Sequence, residues 1–209
     1  MEIKYVCSLG SLCHTASFLK RNKLKLESYP FDWIFSNYNN VMHCIENKFS
    51  IFLDKSYYIK KSTTRCGHSF YNNDMFRHHN PMMNKNDYNY YVRCVDRFNK
   101  LLNIKEHKLF IITIVNMSNI SEYIKNDIIV FNNKLKTHTD NYTLFVIFNL
   151  SEKEQNYHNI TINDNINFLE IHTISKSDGI KFCVEKDNVY LDDIIANLYN
   201  FNVISQSTY

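Results

Sequence analysis

Glycine and proline are scarce in this chain, with three and two in 209 residues. Neither GxGxxG nor GxxxxGK[ST] occurs, so dinucleotide and P-loop phosphate sites have no support. No Pro/Gly/Ser-rich linker divides the chain, and residues 1–209 are expected to form a single α/β domain around one core. Long apolar runs are also lacking. Leu109 to Val115 and Leu144 to Phe148 are the longest, far below the roughly 20 residues of a membrane span. The opening MEIKYVCSLG lacks the apolar stretch of a signal peptide, so no export or membrane partner is expected. The six cysteines, at 7, 13, 44, 66, 94 and 183, form no CxxC pair and no regular spacing, which argues against a disulfide framework. They point to a reducing, cytoplasmic setting. Charge of one sign is missing too: 24 Lys and Arg face 21 Asp and Glu, for a formal net charge of +3. The lysines are scattered, with no helix-turn-helix, zinc finger or basic stripe, so no specific nucleic-acid partner is indicated.

What is present is organised by apolar runs. KLFIITIV (108–115), YTLFVIFNL (142–150) and INFLEIHTI (166–174) are short and rich in β-branched and aromatic residues, as strands covered on both faces are. Between the first two, Ser121 is placed to cap a helix on which Ile124, Ile128, Phe131 and Leu135 recur at helical spacing. Strand, helix, strand implies a parallel crossover. DYNYYVRCVDRFNKLLNI puts Tyr91, Val95, Phe98 and Leu102 on one helix face, and LDDIIANLYNF reads as a final amphipathic helix. The fold class predicted is α/β: a three-layer sandwich around a mainly parallel sheet. Residues 50–87 differ, being polar, aromatic and His-rich, and are expected to form a long excursion or small hairpin outside the core.

One of the three glycines stands in SLGSLCHTASFLK, between a short apolar strand beginning at Ile3 and a helix with Leu12, Ala16 and Leu19 on one face. Ser11 is a good N-cap there, and Cys13 falls in the first helical turn. Unpaired amides and the helix dipole favour a thiolate at such a place. The same pattern also suits a buried cysteine at an ordinary helix start.

The order SLGSLCHTASFLK, then SYPFDWI, FRHHN and YVRCVDRF resembles an uncharacterised family labelled "putative papain-like cysteine peptidase", with members in bacteria and large DNA viruses. The likeness runs to about residue 115. It implies a Cys/His site, with Cys13 matching the cysteine and His79 the histidine; no cofactor is expected. Here the dipeptide is His79-Asn80 rather than His-Asp, and the paired basic residues before Arg97 are reduced to Arg93. His78 is an adjacent rival for the base, and Asp32 or Asn80 is the candidate for orienting the imidazole. Papain-like folds add an antiparallel barrel, whereas the apolar runs point to a parallel sheet.

Two functions follow as expectations. The first is a cysteine-dependent hydrolase or acyl transferase acting on an amide, ester or thioester, with catalytic residues Cys13, His79, Asp32 and Asn80. The second is a non-catalytic or glycan-linked protein holding an anionic ligand, such as a sugar phosphate or nucleotide. Arg93 and Arg97 would line its cleft as a clamp, with Ser11 and His78 as further ligand-binding residues. Cys66, His68, His78 and His79 are a conceivable zinc set, but CGH lacks the usual ligand spacing and no metal is expected. Trp33, the single tryptophan, is expected to be a core anchor under the Gly10 turn.

Overall fold

The structure is a computed structural model that describes residues 2–206. In chain order its elements are β1 (Glu2–Ile3), β2 (Tyr5–Ser8), α1 (His14–Arg21), α2 (Tyr38–Glu46), β3 (Tyr58–Lys60), β4 (Cys66–His68), β5 (Asn72–Phe76) and α3 (Lys85–Asn103). Then follow β6 (Lys108–Met117), α4 (Glu122–Leu135), β7 (Tyr142–Leu150), β8 (Tyr157–Asn163), β9 (Ile166–His172), α5 (Glu185–Leu198) and β10 (Asn200–Phe201). The main sheet has the order β2-β6-β7-β9-β8. Its first four strands are parallel and β8 closes one edge antiparallel to β9.

Alternation along the apolar strands explains why both faces are covered. Phe110, Ile112, Leu144, Val146 and Phe148 enter one cluster with residues of α2, α3 and α4. Leu109, Ile111, Phe145 and Ile147 enter the other, with Phe18 and Leu19 of α1 and Leu191, Ile194 and Ile195 of α5. Burying each such large side chain contributes about 1.5–3 kcal/mol, so neither face can be left to solvent. The result is the three-layer α/β sandwich that the apolar runs predict, around a mainly parallel sheet. Ser121 caps α4 through the Ile124 amide (3.4 Å), as expected.

Three elements go beyond the sequence expectations. The nine-residue α2 is capped by Asn37, which accepts from the Asn40 amide (2.9 Å). The edge strand β8 is almost wholly exposed and therefore has no apolar run to announce it. Helix α5 starts at Glu185, before the predicted Leu191, because its first turn is anchored by polar groups. Asp187, fully buried, accepts from the Ser175 amide (2.8 Å) and hydroxyl (2.6 Å).

The middle segment corrects its expectation. It is an antiparallel sheet, β3-β4-β5, and it is docked on the core rather than outside it. Tyr58, Cys66, Met75 and Phe76 are buried in the same cluster as Phe31, Phe49, Phe52 and Phe98. A bridge between Ile34 and Phe76 ties β5 to the segment after PFDW. Its strands are too short and too polar for periodicity to reveal, yet their inward side chains are aromatic. Among the described residues, no helix is long and apolar enough to cross a membrane.

Candidate active site

The site begins where β2 runs out. Leu9 still donates to the Ile111 carbonyl (2.8 Å), and then Gly10 turns the chain with φ +89°. A side chain at Gly10 would overlap the hydroxyl of Ser36, so this position needs glycine twice over. Ser11, expected as the N-cap, instead donates its hydroxyl to the Thr113 carbonyl of β6 (2.7 Å). Cys13 takes the cap position, without a side-chain cap bond, and α1 starts at His14. Thr15 donates to the hydroxyl of Thr113 (2.7 Å), so the turn is fastened to the central sheet at two points.

Cys13 is 3% exposed, and its Sγ lies 3.2 Å from Nε2 of His78. His78 reaches it from the two residues after β5. Burial pushes the Cys13 thiol up to about 11, against the opposing pull of Arg77 and of its own backbone amide. Burial, with the neighbouring His79, Arg65 and Arg77, holds His78 below the ordinary imidazole value. At neutral pH the resting pair is therefore thiol and neutral imidazole. The thiolate expected from the helix start is outweighed by desolvation. His78 can accept the thiol proton at Nε2 when its own proton is on Nδ1.

The other expected site residues lie elsewhere. His79 turns to Asp87, Nδ1 to Oδ1 3.3 Å, and stacks on Tyr90 at 4.6 Å between ring centroids. Asn80 is buried; its amide donates to Asp87 Oδ2 (2.7 Å), and its side chain donates to the carbonyls of Ser62 (3.0 Å) and Thr63 (3.1 Å). The His79-Asn80 pair thus stitches the small sheet to the start of α3, which leaves His78 as the neighbour presented to Cys13. Asp32 is buried against Lys25 and accepts from the Tyr29 amide (2.8 Å). Burial raises its pKa, with the Lys25 ammonium opposing. Among the described residues, no carboxylate hydrogen-bonds to His78. Arg93 is exposed on α3, whereas Arg97 is partly buried, donating from Nη2 to Cys94 Sγ (3.3 Å). Cys66 and His68 are built into β4, where His68 Nε2 faces the Ile51 carbonyl (3.1 Å).

Two residues stand where the sequence does not announce them. Trp33 is not a core anchor: it is half-buried, with its ring edge-on to His78 at 6.1 Å and an interplanar angle of 78°. The alternation around PFDWI, with Asp32 and Ile34 inward, was the available signal. His14, buried behind Cys13, meets Ser177 (Nδ1 to Oγ 2.7 Å), and burial depresses its pKa to about 4. Asn116 and Ser177 exchange two hydrogen bonds of 2.8 Å, so the loop after β9 is clamped to the end of β6. No signal short of the fold could have paired residues so distant in sequence.

The assembled chemistry is a buried thiol, an imidazole in hydrogen-bond reach, and a helix start whose first-turn amides have no intrahelical partners and can receive a developing oxyanion. No curated protein and no solved structure matches the chain. A family model does: residues 4–80, which carry Cys13, PFDW, His78 and His79, match the family described as "Putative papain-like cysteine peptidase (DUF1796)", the same family that the order of motifs resembles.

Proposed function

We propose that Cys13 and His78 are the nucleophile and base of a cysteine-dependent hydrolase or acyl transferase that acts on an amide, ester or thioester. The carrying observation is the 3.2 Å separation of Sγ and Nε2 at a strand-to-helix turn. As Sγ bonds to the acyl carbon, the thiol proton passes to His78 Nε2 and the carbonyl electrons move onto oxygen, facing the α1 amides. Collapse reforms the carbonyl and expels the leaving group, which takes the proton from the imidazolium. Water or another acceptor, deprotonated by His78, then attacks the thioester and releases Cys13 as the thiol. His78 must be neutral to begin, so kcat/KM should fall as pH drops, with an inflection below the ordinary 6.5. All six cysteines are free, which supports a reducing, cytoplasmic setting.

The test is a panel of aryl ester, thioester and peptide amide substrates, with mass spectrometry for an acyl group on Cys13. Activity on at least one class is expected, falling about a thousandfold or more in Cys13→Ala. Activity that survives this substitution, or the absence of any Cys13 adduct across the panel, would sink the proposal.

A further inference from the structure

A cleft of about 450 Å³ is lined in part by Trp33, whose ring also meets that of His78. The cleft is lined by Lys20, Lys25, Glu27, Ser28, Trp33 and Arg97. Lys20 is on α1, two helical turns beyond Cys13, so the cleft lies on the order of 10 Å from the thiol along the helix.

Its charges are not equivalent. Lys25 is neutralised by the buried Asp32. Glu27 accepts from the hydroxyls of Ser205 (2.8 Å) and Tyr29 (3.4 Å). Lys20 is exposed and joins no salt bridge among the described residues. Arg97 sends Nη2 to the soft sulfur of Cys94, while its Nε is buried without a hydrogen-bond partner. Arg97 lines the cleft, so its guanidinium is placed to meet a carboxylate or phosphate there, against the opposing charge of the buried Asp32. The charges acting on His78 are also basic, from Arg65 and Arg77.

We propose that the cleft between Trp33 and Arg97 is the subsite for an oxyanion of the substrate, a carboxylate or a phosphate, held by Arg97 and Lys20 with the adjoining part of the substrate against the indole. This rests on the reading of Cys13 as nucleophile and defines the class of molecule it acts on: an acyl compound that bears a negative charge about 10 Å from the reacting carbon. Arg93, exposed and outside the cleft lining, has no part in it. Glu27 works against the anion and limits the affinity.

The test is kept apart from catalysis by using Cys13→Ala alongside the wild type. Inorganic phosphate and acetate are titrated separately at fixed ionic strength, with chloride as the control. The readouts are the fluorescence of Trp33, the single tryptophan, and the melting temperature. Saturable change with phosphate or acetate but not chloride is expected in both proteins, and the tighter anion names the group the substrate carries. Arg97→Gln and Lys20→Gln should each weaken binding at least tenfold, Arg93→Gln should leave it unchanged, and Glu27→Gln should tighten it several-fold. If Arg97→Gln does not fold, the exposed Lys20 and the opposite-signed Glu27 variant still decide the matter. The inference is overturned if neither anion saturates, or if binding ignores Lys20 and Glu27. Loss of acyl chemistry in Cys13→Ala, with anion binding intact, keeps the two conclusions distinct.

Discussion

The five-stranded and the three-stranded sheet of this protein meet at Cys13 and differ in material. Strands β6, β7 and β9 are long, apolar and covered on both faces, and with β2 they hold the Gly10 turn through Ile111 and Thr113. The three strands β3, β4 and β5 are short, with Cys66, Met75 and Phe76 facing inward and Lys60, Asn73 and Asp74 facing water. One sheet supplies a platform for the nucleophile, while the other, docked on the core by its inward side chains, delivers the base on the short segment after β5. The difference teaches where the site is fragile: the cysteine's turn is fastened to the long central strands, whereas the imidazole, two residues past the buried Phe76, also depends on a few hydrogen bonds around Asp87 and on one close backbone approach.

The sharpest way to test this division is to compare neighbours. His78→Ala should lower kcat/KM by about 10²–10⁴, the usual range for a lost base, while His79→Ala should cost less than tenfold because its ring acts on Asp87 and Tyr90. Equal losses would place the base on a mobile tether rather than at His78.

The second experiment breaks the small sheet alone. A side chain at Gly67 would run into the backbone of Asn73, so Gly67→Ala should separate β4 from β5 at a cost of about 3 kcal/mol. The main sheet should persist, read as retained far-UV dichroism, while the pH profile assigned to His78 disappears.

The third addresses the platform. His14 is neutral and buried, with a pKa of about 4 against an unfolded value of 6.5. Between those values the unfolded chain binds the extra proton, so stability is full above about pH 6.5 and is lost as pH falls towards 4, by about 3 kcal/mol in total. Urea melts from pH 7.5 to 4 should show this decline in the wild type and a flatter one in His14→Gln.

The smallest effect concerns the turn itself. Gly10→Ala should cost about 2 kcal/mol through its positive φ and the overlap with Ser36. Ser36→Ala, which removes a hydroxyl that has no hydrogen-bond partner, should recover part of that loss in the double variant.

The sequence made the platform legible and the tether obscure, for physical reasons. Burial on both faces demands unbroken apolar runs, so β6, β7 and β9 announce themselves, as does the amphipathic face of α3. Gly10 was legible because it stands between an apolar strand and an amphipathic helix in a chain with three glycines. By contrast, His78 and His79 are adjacent and chemically identical, and what separates them is Asp87, which enters only when α3 packs beside the small sheet. Asp32 has the same lesson: its character is decided by Lys25, which the sequence does not mark as its partner. Residue type alone suggests a core anchor at Trp33, whereas its place follows from the inward turn of its two neighbours.

One feature of the main sheet also sets the order in which this site can come into being. Tyr5 stands opposite Lys108, and everything that carries the candidate chemistry, from Gly10 to Arg97, lies in the loop that this pairing closes. Closing a loop of roughly a hundred residues is entropically expensive and is repaid only when the long-range strand pairs form, so assembly belongs to the slow, high-contact-order class. During synthesis Cys13 therefore emerges well before its platform exists, and its thiol gains the shelter of the main sheet only once β6 has been made and has joined β2.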